Sequence, residues 1–485
     1  MPQFVFLWTD TFVLALFLAM AVYALRVARR PGLRSAWASV ARTPSAMCAA
    51  VFLAFFLLVG LLDSIHYRPM LPPAPGQEAA APTYAPVARS VLDDLLGRAA
   101  LSDVEKTYSA PLARFQLTKE TVLIAGEAVR DFPRLINAGV GMDTIQAHHQ
   151  DVRRLALRGL AWGAGWCLLL ALALTLWGRR KALEPGWAGA WAYWWQGQGL
   201  VPWRAVWISA CLLGLVLSVV ISLSANYHVL GTDRTGNDIL WQALKSVRTA
   251  LVIGTLTTFA MLPPAIILGL AAGYFRGWVD DVIQYIYTTL TSIPGVLLIA
   301  ACVLMMQVYI DTHPDSFDTV AARADLRLFM LCLILGLTGW AGLCRLLRAE
   351  VLKLRELDYV QAAQAFGVSP LRIMFRHLLP NVMHIVLITL ILEFSGLVLY
   401  EAVLSYLGIG VDPSMPSFGR MIDAARSELS RDPIIWWGLA GAFAFMLALV
   451  LSANIFADAV QAAFDPRTRR FRAVRLRHPA GDTKP

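Results

Sequence analysis

Few residues in this sequence have the types and spacing that chemistry at a site requires. Glu393 and Glu401 lie in or beside one apolar run, where ionisable groups usually mark the route of an ion or a proton. His148 and His149 are adjacent, but a lone histidine pair in a polar stretch is more often solvated than metal-binding. Proton-coupled carriers and voltage sensors normally carry more intramembrane charge than this, so the sequence argues against both classes.

The motifs of common enzyme sites are absent from the sequence. There is no G-x-x-x-x-G-K-[ST] loop, so the chain is not expected to bind ATP itself, and neither H-E-x-x-H nor G-x-S-x-G occurs. The cysteines lie in or beside apolar stretches without a C-x-x-C pair, which predicts buried thiols rather than disulfides. They are Cys48, Cys167, Cys211, Cys302, Cys332 and Cys344. We therefore predict no catalytic residue, no metal and no cofactor bound by this chain.

The composition indicates a membrane protein. Of 485 residues, 58% are hydrophobic and 15% are charged, whereas soluble domains carry about 25% charge. A water-soluble globule could not cover so much apolar mass. The net charge of +9 would suggest nucleic-acid binding in a soluble protein, but here the arginines cluster beside apolar runs. Such clusters are typical of membrane topology, so we predict no nucleic-acid partner.

Nine stretches have the length of about 20 mostly apolar residues that crossing a bilayer requires. They lie near Leu7–Leu25, Ala46–Leu62, Leu155–Trp177, Val206–Leu223, Ala250–Ala272, Thr288–Tyr309, Leu328–Cys344, Ile385–Leu407 and Trp436–Phe456. The first resembles a secretory signal, yet its positive charges follow the apolar run instead of preceding it, which favours a retained helix. The fold class we predict is an all-α polytopic membrane protein with about nine transmembrane helices.

The distribution of arginine and lysine predicts the orientation. Basic segments at 26–42, 179–181, 345–376 and 467–477 all fall on one face if nine spans start from an outside N-terminus. The positive-inside rule makes that face cytoplasmic. The C-terminus is then cytoplasmic, and the acidic loop from Asp311 to Asp325 lies outside.

The same topology divides the chain into regions. Residues 1–62 form an N-terminal two-helix extension, 63–154 an extracytoplasmic insert, 155–205 the third span with a cytoplasmic linker, and 471–485 a basic tail. The insert begins with a Pro/Ala-rich strip from Pro69 to Pro86 and continues with polar, helix-permissive sequence. Both a small folded cap and a helical excursion on the membrane surface fit this pattern.

An unusually polar stretch separates the seventh and eighth spans. It predicts a short helix that starts near Asp358 and Tyr359 and stops at Gly367, where a glycine can adopt positive φ. Pro370 would open a second helix, and Pro380 would end it at the membrane. By itself the stretch fits either a solvated connecting loop or a rigid helix that docks into a partner's groove.

This stretch resembles the EAA loop of binding-protein-dependent ABC importer permeases, whose pattern is Glu-Ala-Ala, three residues, Gly and a later Leu-Pro. Gln361 stands in place of the glutamate. The matching residues are Ala362, Ala363, Gly367, Leu379 and Pro380.

The resemblance extends over about residues 227–466 and is to the dipeptide, oligopeptide and nickel permease branch, C-type subunit. That branch has the external signature H-P-L-G-T-D-x-x-G-R-D. Val229 and Asn237 depart from it, whereas Gly231, Thr232, Asp233, Gly236 and Asp238 match. Further matches occur around Arg248, Tyr274, Gly408, Pro413 and Asp458.

The resemblance implies that residues 206–470 form an ABC type I importer core of the six-helix type, with the transmembrane type-1 domain at about 247–462. The chain would be an integral-membrane permease subunit, not an enzyme, in the bacterial plasma (inner) membrane. It would form half of the translocation pathway for peptides, nickel or a related small solute. The implied partners are a second homologous permease subunit, two P-loop ATPase subunits, an extracytoplasmic substrate-binding protein and membrane lipid. Asp358, Tyr359, Gln361 and the matching loop residues would couple to the ATPases.

Proline and glycine inside the spans suggest where the pathway lies. Pro263-Pro264 and Pro294-Gly295 are predicted to interrupt helices, which is tolerated where backbone is buried in protein or lines a water-filled cavity. Packing kinks explain these residues equally well. A secondary transporter or channel would need intramembrane charges or inverted symmetry, and a membrane-embedded enzyme would need an acid, base or metal cluster.

Overall fold

The computed structural model describes residues 3–71, 84–97, 104–124, 127–139, 144–180, 186–197, 199–313, 317 and 319–464. The predicted tail at 471–485, Lys181, and most of the Pro/Ala-rich strip lie outside these residues. In the described part of the chain, nine helical segments are long and apolar enough to cross a membrane, and each overlaps one predicted span. The predicted all-α polytopic class is thereby confirmed.

The N-terminal extension contains a short strand and three helices that pack around the rest of the molecule. These are β1 (Gln3–Val5), α1 (Trp8–Arg29), α2 (Pro31–Ala41) and α3 (Pro44–Asp63). The helices α2 and α3 each begin with a proline, the residue whose missing N–H is not needed at a helix start. Helix α1 contacts α8 and α11, whereas α3 packs against α7, α8 and α17.

The insert at 63–154, which we call the external insert after its predicted location, is a small folded cap with little helix. It contains β2 (His66–Arg68), β3 (Arg89–Ser90), α4 (Val91–Gly97), β4 (Glu120–Ile124) and β5 (Glu127–Asp131). Strand β2 pairs antiparallel with both β1 and β3, and β4 pairs with β5 as a hairpin. The helical alternative for this segment is wrong over most of its described length, because β-branched residues around Thr121 and Val129 favour strands.

A peripheral hairpin follows the insert. It comprises α5 (Ile145–Gly178), α6 (Trp187–Trp195) and α7 (Trp203–Ser224). Helix α5 packs mainly against α7, and a Cβ at Gly159 would lie 2.6 Å from the Cα of Val219. Glycine therefore permits close approach of the two helices.

The remaining helices form the core of the molecule. They are α8 (Ile239–Phe275), α9 (Trp278–Ser292), α10 (Gly295–Thr312), α11 (Val320–Gly339), α12 (Ala341–Leu354), α13 (Asp358–Ala365), α14 (Pro370–Ile373), α15 (Leu379–Tyr406), α16 (Phe418–Glu428) and α17 (Trp437–Phe464). Helix α8 is central and contacts α3, α11, α12, α15 and α17.

The predicted break at Pro263-Pro264 is wrong. Both prolines lie inside α8, which continues for 37 residues. Neighbouring helices hold α8 together through this region: α11 comes so close that a Cβ at Gly336 would lie 2.8 Å from the carbonyl oxygen of Thr257. Tertiary packing of this kind allows a helix to continue past proline in a membrane protein.

Pro294 does separate two helices. Ile293 is extended, with φ −87° and ψ 131°, as expected for a residue before proline, and α10 starts at Gly295. The sixth span therefore begins later than the predicted Thr288.

The predicted end of a helix at Pro380 is also wrong. Pro380 lies in the first turn of α15, where a proline is well tolerated. A π-helical turn at Met374–Leu378 joins α14 to α15, so helical structure runs from Pro370 to Tyr406.

Candidate coupling loop and external contacts

Helix α13 is a short helix that presents most of its side chains to solvent. Tyr359 is 42% exposed and Phe366 is 87% exposed, whereas Val360 is fully buried. Asp358, Gln361 and Ala362 are exposed, and Ala363 is half-buried. Gly367 follows the helix with φ +72° and has open space around it. One buried valine thus fixes the helix, while its other faces remain available to a partner.

Polar contacts hold α13 against the end of α8. The guanidinium of Arg355 donates to the carbonyl oxygen of Tyr274 at 2.6 Å, and the amide of Gln364 donates to the Tyr274 hydroxyl at 3.3 Å. Arg276 pairs with Glu356 at 2.6 Å, but both side chains are about half exposed. These contacts join the stretch around α13 to the last residues of α8.

A bidentate ion pair joins α12 to α9 on the same side of the molecule. Arg348 donates from Nε and Nη2 to the two carboxylate oxygens of Asp280 at 2.5 and 2.6 Å. The hydrogen bonds from Arg348 lower the pKa of Asp280. Two parallel hydrogen bonds of this kind fix the orientation of the guanidinium relative to the carboxylate as well as the distance between them.

The structure brings together only part of the predicted EAA set. The Gln361 amide donates to the carbonyl oxygen of Glu356 at 3.1 Å, so its side chain is directed to the preceding turn. Asn381 donates to the Tyr359 hydroxyl at 3.0 Å, which links α13 to the start of α15. Leu379 packs against the buried core, and Pro380 beside it is exposed.

The two predicted pathway pairs occupy different environments. Pro294 and Gly295 are exposed, and a Cβ at Gly295 would lie 3.8 Å from the Tyr400 hydroxyl on α15. Next to them α10 exposes a row of large apolar side chains: Leu297, Leu304, Met305 and Val308. Pro263 and Pro264 lie within the continuous helix α8 and form no gap there.

On the opposite side of the molecule, hydrogen bonds hold the turn between α7 and α8, which we call the external turn after its predicted location. The Asp238 carboxylate caps α8 by accepting from the backbone N–H groups of Leu240 and Trp241 at 2.7 and 3.2 Å. Asp233 accepts from the N–H groups of Thr235 and Asn237 at 2.8 and 2.9 Å.

The external insert covers this turn. The Thr232 hydroxyl donates to the carbonyl oxygen of Thr107 at 2.9 Å. Gly231 and Gly236 have φ +73° and +81°, and a Cβ at Gly236 would lie 1.7 Å from the Glu105 carbonyl oxygen. The turn therefore requires glycine both for its conformation and for contact with the insert.

His228 joins the insert to the turn electrostatically. Its Nδ1 lies 2.7 Å from the Asp238 carboxylate, and its Nε2 lies 3.6 Å from that of Glu105. Burial alone would lower the pKa of His228, but the hydrogen bond to Asp238 and the negative charges of Asp238 and Glu105 raise it to about 9. Burial opposes ionisation of Glu105, yet His228 and the N–H groups of Ile136 and Asn137 lower its pKa overall.

A buried charged network, which the sequence analysis did not identify, links α1 to the core. Arg248 of α8 donates to the carboxylates of Asp10 at 2.5 Å and Asp325 at 3.3 Å, and to the Thr9 hydroxyl at 2.7 Å. Thr9 also donates to Asp325 through its hydroxyl and its backbone N–H. The side chains of the three charged residues are 5% exposed or less.

This network borders a cavity between α1, α8, α11 and the insert. The cavity has a volume of about 450 Å³ and is lined by Asp63, His66, Lys245 and Arg248 together with apolar side chains. His66 of the insert contacts Asp10 at 2.8 Å. Asp10 lies in the first turn of α1, and Asp325 lies in the second turn of α11. Ionisable residues within apolar helices were the sequence feature that could have indicated a charged partner.

In the described residues no group of three or more His, Cys, Asp or Glu side chains has the arrangement of a metal site. The described residues instead form the exposed helix α13 on one side and, on the other, a polar surface in which the insert is hydrogen-bonded to the turn before α8.

Comparisons with known proteins agree with this architecture. Residues 265–470 match the family described as binding-protein-dependent transport system inner membrane component. The chain is 36% identical over 245 residues to the peptidoglycan transport system permease protein YejE of Agrobacterium fabrum, covering 50% of this chain and 58% of that protein.

This chain aligns with a larger share of two further relatives. The glutathione transport system permease protein GsiD of Pectobacterium atrosepticum is 31% identical over 242 residues, which are 50% of this chain and 73% of the relative. The di/tripeptide transport system permease protein DppC of Pseudomonas aeruginosa is 32% identical over 241 residues, again 50% and 73%. On these matches the chain belongs to the binding-protein-dependent ABC importer permeases and is a membrane transport subunit, not an enzyme.

Proposed function

We propose that this chain is one of two permease subunits that enclose the pathway of an ATP-driven importer for peptides or a related small solute. The relatives named for glutathione and for di/tripeptides share the peptide bond as the common chemistry of their solutes. Two P-loop ATPase subunits and an extracytoplasmic binding protein complete the complex. The bond-breaking chemistry belongs to the ATPases.

The exposed helix α13 is the observation that carries this proposal. A surface helix that buries a single side chain fully and is followed by an 87% exposed phenylalanine suits docking into a groove of another subunit. In this role Asp358, Tyr359, Gln361, Ala362 and Ala363 contact the ATPase. Gly367 reverses the chain so that Leu379 and Pro380 can start the next span.

Closure of the ATPase pair would displace α13. The polar contacts around α13 determine which neighbouring helices move with it. Arg355 and Gln364 both bind Tyr274, so the end of α8 moves with α13. The Arg348–Asp280 ion pair couples α12 to α9, which leads directly to Pro294. The extended residue before Pro294 is a joint at which α9 and α10 can change their relative angle.

We place the pathway beside Pro294, Gly295 and the exposed apolar face of α10. The same face would contact the second permease subunit. The core at 206–470, the extension at 1–62, the insert at 63–154, the third span and linker at 155–205 and the tail at 471–485 remain the division we propose. The positive-inside rule supports an outside N-terminus and a cytoplasmic α13 in the bacterial plasma membrane.

The external turn at Gly231, Thr232, Asp233, Gly236 and Asp238 would help to form the side that meets the binding protein. Because the insert covers this turn, the insert itself would supply much of the docking surface.

The test is the variant Gly367→Val in the complex reconstituted with its ATPases and binding protein in proteoliposomes. A valine at φ +72° strains the turn by about 1–3 kcal/mol. We expect ATP hydrolysis to persist while uptake of labelled tripeptide falls by about tenfold or more. Gly197→Val is the matched control, since Gly197 has φ +73° and open space but lies outside the coupling loop.

Undiminished uptake by Gly367→Val would contradict the coupling role of the loop. Uptake of labelled nickel but not of tripeptide by the unaltered complex would leave the importer assignment intact and overturn the proposed solute.

A further inference from the structure

The end of the peripheral hairpin opposite the external insert contains an unusual concentration of tryptophan. We call this the tryptophan–arginine cluster. It comprises Trp177, Arg179, Trp187, Trp191, Trp194, Trp195, Trp203, Arg204 and Trp207. Several of the indole rings are in contact: Trp191 stacks on Trp195 with ring centres 5.5 Å apart, and Trp177 meets Trp203 edge to face at 5.1 Å.

Each of the two arginines lies over an indole ring. The guanidinium carbon of Arg179 is 4.6 Å from the centre of the Trp187 ring, and that of Arg204 is 5.0 Å from the centre of the Trp195 ring. Both arginine side chains are exposed, and neither forms an ion pair within the described residues. Stacking orients a guanidinium while leaving its N–H edge able to donate to a phosphate.

The charge around the tryptophan–arginine cluster is strongly positive. Residues 177–207 contain Arg179, Arg180, Lys181 and Arg204, and their single acidic residue is Glu184. Lys181 and Glu184 lie outside the described residues. A surface with this excess of positive charge favours a ligand with net negative charge over a zwitterion.

The apolar surroundings identify the ligand as a lipid. Helix α5 packs mainly against α7, and its outer surface exposes Leu168 by 72%, Leu169 by 63% and Leu172 by 48%. This apolar row runs along α5 directly to the cluster, and Trp187 and Trp191 are themselves 56% and 43% exposed. Tryptophan next to such a row is typical of the headgroup level of a bilayer.

We propose that the tryptophan–arginine cluster binds the headgroup of an anionic phospholipid, with Arg179 and Arg204 as the cationic side chains that attract it. The exposed indoles lie against the glycerol region of the same lipid, and its acyl chains follow the leucine row of α5. The site goes beyond a general preference of tryptophan for the interface, because it assigns the preference for anionic headgroups to two named side chains.

The experiment is native mass spectrometry of the full chain released from nanodiscs that contain phosphatidylcholine and phosphatidylglycerol. The unaltered chain is expected to retain phosphatidylglycerol preferentially. Each surface arginine contributes roughly a fivefold change in affinity, so Arg179→Gln combined with Arg204→Gln should lower retention by roughly 25-fold.

The matched control is Arg158→Gln. Arg158 is an exposed arginine on the same helix, but it lies 20 residues before Gly178, a distance of about 30 Å along an α-helix. Retention by this variant should equal that of the unaltered chain.

Three results would overturn the proposal: equal retention by the double variant and the control, equal retention of phosphatidylcholine, or displacement of the lipid by inorganic phosphate. Should the double variant fail to fold, the unaltered chain still provides a test. Its phosphatidylglycerol retention must fall as salt is raised, because salt screens exposed charges, and retention that is independent of salt would contradict the role of the arginines.

Discussion

The face that we propose to be external, called here the external face, and the loop around α13 differ in how far their polar and apolar groups are buried. On the external face, buried carboxylates meet Arg248 and His228, and the insert closes over the turn at Gly236. Around α13, the ion pair between Arg276 and Glu356 is half exposed, and Phe366 is almost fully exposed. The first region pairs its charges in buried contacts within the chain, whereas the second leaves charged and apolar groups accessible to contacts outside it.

The external face is expected to contribute to stability, and the region around α13 to docking. Buried pairs are costly to break because the remaining partner keeps an uncompensated charge, whereas exposed pairs contribute little. We therefore expect substitutions on the external face to change the free energy of unfolding, and substitutions around α13 to change the affinity for a partner.

The largest expected effect is that of Arg248→Met. It leaves Asp10 and Asp325 buried without their common cation, which should lower the free energy of unfolding by about 3–5 kcal/mol. Equilibrium unfolding in detergent micelles, followed by circular dichroism, measures the difference. Arg276→Met is the matched control at the end of the same helix, and its half-exposed pair is expected to contribute at most about 1 kcal/mol. Equal losses of unfolding free energy in the two variants would contradict the expected difference between the two regions.

A smaller effect is expected for Gly236→Ala. Its methyl group would collide with the Glu105 carbonyl oxygen, and we expect the insert to loosen at a cost of about 2–3 kcal/mol. Limited proteolysis of the insert and the unfolding transition both report the change. Gly408→Ala is the control because Gly408 has φ +76° without a close neighbour, so only the conformational cost of about 1–2 kcal/mol applies. An insert that resists protease equally in both variants would show that the close contact is unimportant.

The smallest change in stability is expected for Phe366→Ala. Truncation of so exposed a side chain should alter the free energy of unfolding by less than about 0.5 kcal/mol. The affinity for the ATPase subunits should nevertheless fall by about 30-fold, because loss of an aromatic anchor costs about 2 kcal/mol. The control is Phe375→Ala, because Phe375 lies in the π-helical turn and is 51% exposed. Surface plasmon resonance measures the affinity of both variants for the ATPase subunits. If both variants bound the ATPases equally well, Phe366 would not be an anchor.

Features determined by short stretches of sequence were predictable. The nine spans follow from local length and hydropathy, and the turn at Gly367 follows from the freedom of glycine at positive φ. The break before Gly295 similarly reflects the restriction that Pro294 places on Ile293.

Features determined by distant neighbours were not predictable. Asp10 lies 238 residues from Arg248, so no local pattern shows that they meet. The continuity of α8 through Pro263 and Pro264 depends on helices that pack against it. The strands of the insert are short, and β2 pairs with β1 and β3 across long sequence separations, which hydrophobic periodicity does not reveal.

The π-helical turn at Met374–Leu378 sets the angular phase of the following span. A turn with i→i+5 hydrogen bonds contains one residue more than an α-helical turn, which rotates all later side chains by about 100° around the axis. A helical wheel drawn straight through from Pro370 would therefore assign Val382 and Val386 to the wrong azimuth, although both are buried in the molecule. The direction in which Tyr400 points thus depends on five residues that lie more than 20 positions before it.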